Sequence, residues 1–352
     1  MRSAALCRSI SPLPEGQNSG RGDRDHRPGR VSVGKAVVNT MNELIAAIPS
    51  MLGYPPIDRV AIAFLADRQV QMVAAAPVRG FPAELDVLAT ATRHGYDRII
   101  VIAATDEPMA RVRIIVDDIE RQARDGGLSM VHAVHLSEYA MGARYVDVRT
   151  GAVDLLDDPQ ASVVAAVQVM QGRRFHPNRA EIEARFAVTA EADPMPATAE
   201  PIEVFAARTL TELVDAVMLG ERVAPELAAR VGWLVVRSRT ARDAVIGVGA
   251  VGLAQAAVVM VDIANQLRGR MRVEVLTVAA VLLYAAADGV AAGVAIVTAF
   301  DSARASGVEV PPLLSLLDQA LSQAGDPKMI RRLVDTGVVV ADDSYRVFIP
   351  EV

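Results

Sequence analysis

The chain has a single cysteine, Cys7, among its 352 residues. With one thiol, no disulfide can form within the chain, and no cysteine-based zinc site can be assembled in it. Proteins that use so little cysteine are typical of a reducing compartment, so we expect a cytoplasmic protein.

Aromatic residues are also scarce: they make up 4% of the chain, whereas hydrophobic residues as a whole make up 52%. The core must therefore be built mainly from Ala, Val, Leu and Ile. Small side chains let helices approach closely, and β-branched ones suit buried strands. The length is enough for one large or two ordinary domains.

An overall basic charge and a long apolar run are missing as well. The net charge is -6, which argues against nucleic acid as the main partner. The segment 245–261 contains Gln255 and three glycines, and the segment 273–300 is broken by Asp288. Because a spanning helix needs about 20 consecutive apolar residues, we predict no membrane span.

The sequence shows no assembled catalytic set. It has no G-x-S-x-G motif, and its one cysteine lies outside the predicted folded body. His132 and His135 are three residues apart in a segment that has the pattern of a strand, where their rings would point to opposite faces. We therefore predict no metal site and no cofactor.

The first 40 residues form a compositionally distinct segment. They contain seven Lys or Arg and three Asp or Glu, a balance of +4, and are rich in Pro, Gly and Ser. This composition predicts a disordered basic tail, and translation from Met41 instead of Met1 stays open. Thr40 and Glu43 form a capping-box pattern, which predicts that the first helix starts there.

Residues 41–188 have the pattern of an α/β domain with a mixed sheet and flanking helices. After the first two strands, apolar residues at helical spacing predict a helix that ends at Gly95. The same spacing later predicts a second helix, which ends at Gly126 and Gly127. The predicted strands are 60–65, 70–78, 98–104, 128–136 and 144–148, and the predicted helices include 82–94 and 108–124.

A Pro-rich stretch, residues 189–202, predicts a linker. The following segment, 203–335, is Ala-rich and predicts an all-α helical domain. We expect Gly337 to close its last helix. Residues 336–352 are predicted to form a C-terminal hairpin or tail that turns around Asp342 and Asp343.

Three glycines, Gly247, Gly249 and Gly252, match the G-x-G-x-x-G pattern of dinucleotide-binding loops. However, Thr240 and Asp243 form a capping pattern that would start a helix before the glycines. A dinucleotide site also needs a second strand that ends in an acidic residue, which binds a ribose hydroxyl. The segment available for that strand here ends without one. We therefore predict a helical segment, and keep the nucleotide-binding loop as the alternative.

Two clusters outside the glycine motif could bind a ligand. Asp106 and Glu107 directly follow the strand 98–104, and ligands gather beyond strand carboxyl ends in open α/β sheets. The same two acids would equally offset the dipole of the next helix. Arg173 belongs to a basic cluster with Arg174 and Arg179, which could hold an anion or form a solvated turn.

Several segments, in order along the chain, resemble an actinobacterial domain-of-unknown-function family, number 4192. The resemblance implies an α/β part followed by a helical part and no established activity. The chain departs from the family where 147–151 replaces a cysteine-bearing segment and where Ala287 replaces a glycine. The similar segments are 42–65, 142–145 with Arg144, 161–186, the pair Arg242-Asp243, and 287–289.

The function that these patterns favour is a non-catalytic binding or interaction protein with an unknown small-molecule or protein partner. The alternative is a nucleotide-binding protein or enzyme that uses the Gly247–Gly252 loop or the strand edge at Asp106. The candidate binding residues are Asp106, Glu107, Arg144, Arg173, Arg242 and Asp243.

Overall fold

The computed structural model describes residues 40–67, 69–81, 85, 88, 91–170, 175–189, 200–220, 222–323 and 325–350, and the backbone of three short strands before them. Contacts divide the chain into an N-terminal unit, residues 1–181 with 322–324, and a C-terminal unit, residues 182–321 with 325–352. Most of the predicted basic tail lies outside the described residues, although the backbone of the three short strands falls within its bounds. Most of the predicted helix 82–94 and most of the predicted linker also lie outside them.

The N-terminal unit is built on one mixed β-sheet. Its order is β3-β2-β5-β4-β6-β7-β8-β9, and β1 also pairs with β5. The central pairs β5–β4 and β4–β6 are antiparallel, whereas β6 and β7 are parallel. The strands are β1 Leu6–Ser9, β2 Val31–Val33, β3 Ala36–Val38, β4 Arg59–Ala66, β5 Gln69–Pro77, β6 Arg98–Ala104, β7 Ser129–Leu136, β8 Arg144–Asp147 and β9 Val153–Leu155.

Three described α-helices accompany this sheet, a fourth crosses the boundary between the two units, and the first confirms the capping prediction. Thr40 Oγ1 accepts a hydrogen bond from the backbone N–H of Glu43 (3.1 Å), and Gly53 ends that helix with a φ of 82°. The helices are α1 Met41–Leu52, α2 Met109–Asp125, α3 Val163–Met170 and α4 Arg179–Ala184, with 3-10 turns at Thr92–His94 and Pro159–Ala161.

The core of the N-terminal unit lies on both faces of the central strands. On one face, the apolar stripe of α2 (Val112, Ile115 and Val116) packs in one cluster with Ile62 and Phe64 of β4. The alternate residues of β4 are also buried, so the other face is covered too. This double burial explains why β4 and β6 are continuous apolar runs in the sequence.

All the regular secondary structure in the described part of the C-terminal unit is helical. Its helix α9 has almost no exposed residue, as expected for a helix that is apolar all round. The helices are α5 Ile202–Leu219, α6 Pro225–Arg237, α7 Arg239–Gly247, α8 Leu253–Gln266, α9 Gly269–Ala285, α10 Gly289–Ser306, α11 Pro312–Ser322 and α12 Pro327–Tyr345, with a 3-10 turn at Val248–Val251.

The predicted C-terminal hairpin is wrong, because helix α12 continues to Tyr345. The β-branched run 338–340 has the composition of a strand. However, Val334, Gly337, Ala341 and Tyr345 are buried at helical spacing, so packing of one helix face overrides the local preference. Gly337 therefore lies inside the last helix instead of closing it.

The predicted fold class is confirmed: a mixed sheet with helices precedes a run of helices. None of the helices in the described part of the chain has the length and apolarity that a membrane crossing requires.

Candidate functional site

One edge of the sheet collects polar residues from several strand connections. Arg59 at the start of β4 pairs with Ala104 at the end of β6, and Ala104 pairs with Leu136 at the end of β7. Leu136 in turn pairs with Tyr145 near the start of β8. We call this side of the sheet, where the parallel strands β6 and β7 end, the carboxyl edge.

A hydrogen-bond network organises the carboxyl edge around Thr105, which is completely buried. Its Oγ1 donates to Asp58 Oδ1 (3.1 Å) and accepts from the backbone N–H of Glu107 (3.2 Å). Arg79 Nε then pairs with Glu107 Oε1 (3.0 Å). Asp58 adopts a φ of 55°, so the carboxylate that Thr105 contacts sits on an uncommon backbone conformation.

His135 joins the same network through its ring. Its Nε2 lies 2.8 Å from the backbone oxygen of Thr105. Because a carbonyl oxygen only accepts, Nε2 carries a proton in this hydrogen bond. His132 lies instead beside Asp147, with Nδ1 4.0 Å from Oδ2. Among the described residues, no group of three potential metal ligands comes together.

Two tyrosines in connections that lead to and from the carboxyl edge have buried hydroxyls without a hydrogen-bond partner. Tyr54, 1% exposed, precedes β4, and Tyr139 follows β7. Burial above all, and then the neighbouring Tyr54, raise the pKa of Tyr139 far above its ordinary value. Both features keep the Tyr139 hydroxyl protonated at neutral pH.

The structure brings three of the predicted site residues to this edge. Asp106 is exposed, Glu107 pairs with Arg79, and the exposed Arg144 starts β8. Arg173 lies outside the described residues. Sequence reasoning missed Asp58, Arg79, Thr105, His135, Tyr54 and Tyr139 as site residues. The available signal for Tyr54 was its place in the sequence Gly-Tyr-Pro-Pro, residues 53–56, between α1 and β4.

The segment where the chain departs from the cysteine pattern forms a tight turn. Asp147 Oδ1 accepts hydrogen bonds from the backbone N–H groups of Arg149 (3.0 Å) and Thr150 (2.7 Å), and from the Thr150 hydroxyl (2.9 Å). Burial alone would raise the pKa of Asp147, but these hydrogen bonds lower it overall. A carboxylate thus organises this turn without any thiol.

A groove of about 320 Å³ lies beside α1, away from the predicted site residues. Its walls are mostly small apolar residues, and three carboxylates, those of Glu43, Asp157 and Asp158, line it as well. None of the five candidate binding residues that the structure describes lines this groove. We therefore place the candidate site at the carboxyl edge, where buried polar groups converge.

Arg242 and Asp243 lie in the C-terminal unit, on helix α7, and pair with each other. Arg242 Nη2 and Nε lie 2.7 and 3.1 Å from Asp243 Oδ1. The helix is capped earlier than predicted, since Ser238 Oγ accepts from the N–H of Ala241 (3.2 Å). The prediction that Asp243 serves the cap of this helix is therefore wrong, although the helix start before the glycines is confirmed.

Glu274 on α9 is a half-buried carboxyl near Arg242. Burial raises its pKa, against the lowering effect of Arg242, Arg270 and Arg239. A carboxyl with a raised folded-state pKa holds its proton longer in the folded protein, so stability falls as pH rises between the unfolded and folded pKa values. We expect Glu274→Gln to remove this loss and to be at least as stable as the wild type at pH 7.

Chemical denaturation of both proteins from pH 4 to pH 8 would measure this effect. Glu309→Gln, at an exposed carboxylate of the same unit, is the control and should leave the pH profile of the wild type unchanged. A Glu274→Gln protein that is less stable than the wild type at pH 7 would mean that the surrounding arginines outweigh burial.

The first two glycines of the motif lie in helical segments, as predicted, and the third lies between them and the next helix. Gly247 ends α7, Gly249 lies in the 3-10 turn, and Gly252 precedes α8. A Cβ on Gly247 would lie 2.6 Å from the backbone nitrogen of Val338, so Gly247 provides the space for a close helix contact. The segment lacks the strand–loop–helix geometry of a dinucleotide site, and the alternative that assigned cofactor binding to Gly247, Gly249 and Gly252 does not fit it.

Comparison with known families gives a match over most of the chain. The sequence model described as "Domain of unknown function (DUF4192)" covers residues 42–328. No match was found among curated proteins or among solved structures.

Proposed function

The chain belongs to this family of unknown function, and we propose that it is a non-catalytic protein that binds a small-molecule ligand at the carboxyl edge of β6 and β7. The observation that carries the proposal is the convergence there of Asp58, Thr105, Glu107 and His135, which come from three separate connections or strands.

The position of this network supports a binding role. In open α/β sheets, ligands bind beyond the carboxyl ends of parallel strands, and β6–α2–β7 is the parallel unit of this sheet. The exposed side chains of Asp106 and Arg144 flank this edge. They offer one negative and one positive group to a polar ligand.

The way the polar groups are used favours binding over catalysis. The hydroxyl of Thr105 bonds to Asp58, a pairing that could resemble a nucleophile and its base. However, Thr105 is completely buried, so its hydroxyl is out of reach of a substrate. The network therefore supports the shape of the edge, and the exposed groups around it are left to contact the ligand.

A thermal-shift screen with nucleotides, amino acids, sugars and organic acids tests the proposal. We expect at least one compound to raise the Tm progressively with its concentration, by an amount equivalent to about 2.7 kcal/mol at 100 times its Kd. Asp106→Asn or Arg144→Gln should weaken this response.

The control for these variants is Arg304→Gln, at an exposed arginine of α10 in the C-terminal unit, which should respond as the wild type does. A flat response to the whole panel, or a response that Asp106→Asn and Arg144→Gln leave intact, would contradict the proposed site. A response confined to nucleotides would instead favour the nucleotide-binding alternative at the Asp106 edge.

We also propose a cytoplasmic location and an actinobacterial origin. The first is supported by the single cysteine, which fits a reducing compartment. The second is supported by the resemblance of the sequence segments to the actinobacterial family. Cell fractionation of the native host would test the location.

A further inference from the structure

The strand β9 is the last strand in the order of the sheet, and it pairs with β8. All of its residues are exposed, and two of them, Val153 and Leu155, are apolar. A strand at the end of a sheet presents backbone N–H and C=O groups to which a strand of another molecule can add. A short apolar edge of this kind is a site where copies of one chain would associate if its backbone groups stayed open.

The pairing with β8 determines which backbone groups of β9 face outward. Two backbone hydrogen bonds of 2.8 Å flank the strand, from Asp147 N to Ala152 O and from Leu156 N to Ala143 O. Antiparallel pairing alternates between residues that bond to the partner strand and residues that do not. Asp154 therefore bonds to β8, whereas the N–H and C=O groups of Val153 and Leu155 point away from it.

The side chain of Asn42, on helix α1, occupies part of this outward side. Its Nδ2 donates to Leu155 O and its Oδ1 accepts from the N–H of Asp157, each at 2.9 Å. In a parallel sheet, a residue of the neighbouring strand makes the same pair of bonds with its own N–H and C=O groups. The Asn42 carboxamide thus takes the place that one residue of an added strand would occupy.

Asp154 opposes strand addition in two ways. Its Oδ1 accepts from the N–H of Leu155 (2.8 Å), and its Oδ2 accepts from the Tyr145 hydroxyl (3.1 Å), which holds the carboxylate in place. If β9 paired antiparallel with the β9 of a second copy about their central residues, the two Asp154 side chains would lie directly opposite each other. Like charges in that position destabilise the pairing of strands.

We propose that Asn42 and Asp154 close the β9 edge against antiparallel pairing with the β9 strand of a second copy of this chain. Together they bond to the outward C=O and N–H of Leu155 and to the N–H of Asp157, and they repel the register that aligns the two strands fully. This inference does not depend on the proposed function, since it concerns the last strand of the sheet and not the ends of β6 and β7.

The test opens the edge and measures self-association of the full chain. In Asn42→Ala/Asp154→Ala, the outward groups of Leu155 lose their side-chain partners and the opposed charges are gone. By sedimentation velocity over a range of concentrations, we expect the association constant of this variant to exceed that of the wild type at least about tenfold. Amide hydrogen exchange at Leu155 should be faster than in the wild type in dilute solution, and should slow as the concentration rises.

A proline at Val153 shows whether the association uses the β9 edge. The N–H of Val153 points away from β8, so Val153→Pro removes no hydrogen bond of the sheet within the chain. It does remove a donor that a second copy would need. Added to Asn42→Ala/Asp154→Ala, Val153→Pro should return the association constant to that of the wild type.

The matched control removes the same two side-chain types elsewhere. Asn178 Oδ1 accepts from the N–H of Glu181 (3.0 Å) at the start of α4, and Asp301 pairs with Arg304 on α10. Asn178→Ala/Asp301→Ala should associate no more than the wild type does.

The single variant Asp154→Asn decides the question if Asn42→Ala/Asp154→Ala does not fold. Its side chain keeps an oxygen acceptor for Leu155 and Tyr145 and loses only the charge. It should raise the association constant as well, by a smaller factor.

Three results would overturn the inference. The first is an association constant of the folded variants that equals that of the wild type. The second is association that Val153→Pro leaves intact, or that Asn178→Ala/Asp301→Ala shares, because it would use another surface. The third is a wild-type dimer that Val153→Pro dissociates, because the β9 edge would then already be open.

Discussion

Replacing Gly247 with alanine is expected to lower the free energy of unfolding by about 3 kcal/mol. A Cβ at this position would lie 2.6 Å from the backbone nitrogen of Val338 and 2.7 Å from the backbone oxygen of Gly337. Both contacts are with backbone atoms of α12, which cannot rotate away as a side chain would. Helices α7 and α12 must therefore separate or tilt, which disturbs the packing of α9 against them.

The expected loss exceeds the gain that alanine brings to a helix. Alanine favours helix over glycine by about 1 kcal/mol. If the added Cβ met no backbone, Gly247→Ala would therefore stabilise the protein. Thermal or denaturant unfolding measures the difference, and a loss of about 3 kcal/mol corresponds to a Tm decrease of roughly 6–12 °C for a domain of this size.

The glycine motif contains its own control. At Gly252 an added Cβ would have no neighbour closer than the Cβ of Gln255, at 3.9 Å, and the φ of 164° is extended backbone that other residues adopt. Gly252→Ala should therefore have little effect, whereas Gly337→Ala should destabilise about as much as Gly247→Ala, since the contact is mutual. Equal effects of Gly247→Ala and Gly252→Ala would contradict the close helix crossing.

Replacing Arg272 with methionine is expected to cost about 3 kcal/mol. Arg272 is 5% exposed, and its Nη1 and Nη2 donate to the backbone oxygens of Ala264 and Phe186, each at 2.6 Å. Its Nε also lies 3.4 Å from Ser302 Oγ. The guanidinium thus joins the end of α8 and the segment after α4 to helix α9, and methionine preserves the stem while removing every donor.

The hydrogen-bond partners of Arg272 explain why Arg272→Met is expected to lower the stability. Replacing a buried ion pair with apolar residues is often neutral, because both charges leave the interior. Among the described residues, the hydrogen-bond partners of Arg272 are neutral oxygens, and the carbonyl of Phe186 would lose its donor if Arg272 were replaced. Burial first, and then Arg268, lower the pKa of Arg272, so the carbonyl oxygens are what stabilise its charge.

Two further variants make the Arg272 prediction specific. Arg270→Met, at an exposed position of the same helix, should change the stability by no more than about 0.5 kcal/mol. Arg272→Lys keeps the charge but lacks the forked donors that reach two carbonyls, so it should lose most of the same stability. If Arg272→Met is as stable as the wild type in urea unfolding, the hydrogen bonds of the Arg272 guanidinium do not stabilise the fold.

Local signals account for most of the secondary structure. The capping box at Thr40, the β-branched runs of β4, β5 and β6, and the apolar stripe of α2 each correspond to an element in the structure. Such signals are readable because a cap, a strand or an amphipathic helix depends on residues that are close in sequence. The strand β9 escaped prediction because its three residues are all exposed.

The candidate site could be predicted only in part, because most of its contacts join residues that are distant in sequence. Asp106 and Glu107 follow a strand directly, and their place at its carboxyl end could be inferred from the chain order. The approach of Asp58 and His135 to Thr105 depends on the register of three strands. Arg272 showed no signal at all, because its partners lie on other segments and its burial is a property of the packed helices.

The sequence by itself determined the types of the elements, their α/β-then-helical order and the coiling of the glycine motif, since each depends on periodicity or caps within a few residues. The tertiary structure alone decided that 338–345 is helix, that Gly247 faces Gly337, and that the hydroxyls of Tyr54 and Tyr139 are buried. These features arise where segments distant in sequence meet, and the free energy of that packing outweighs local preference.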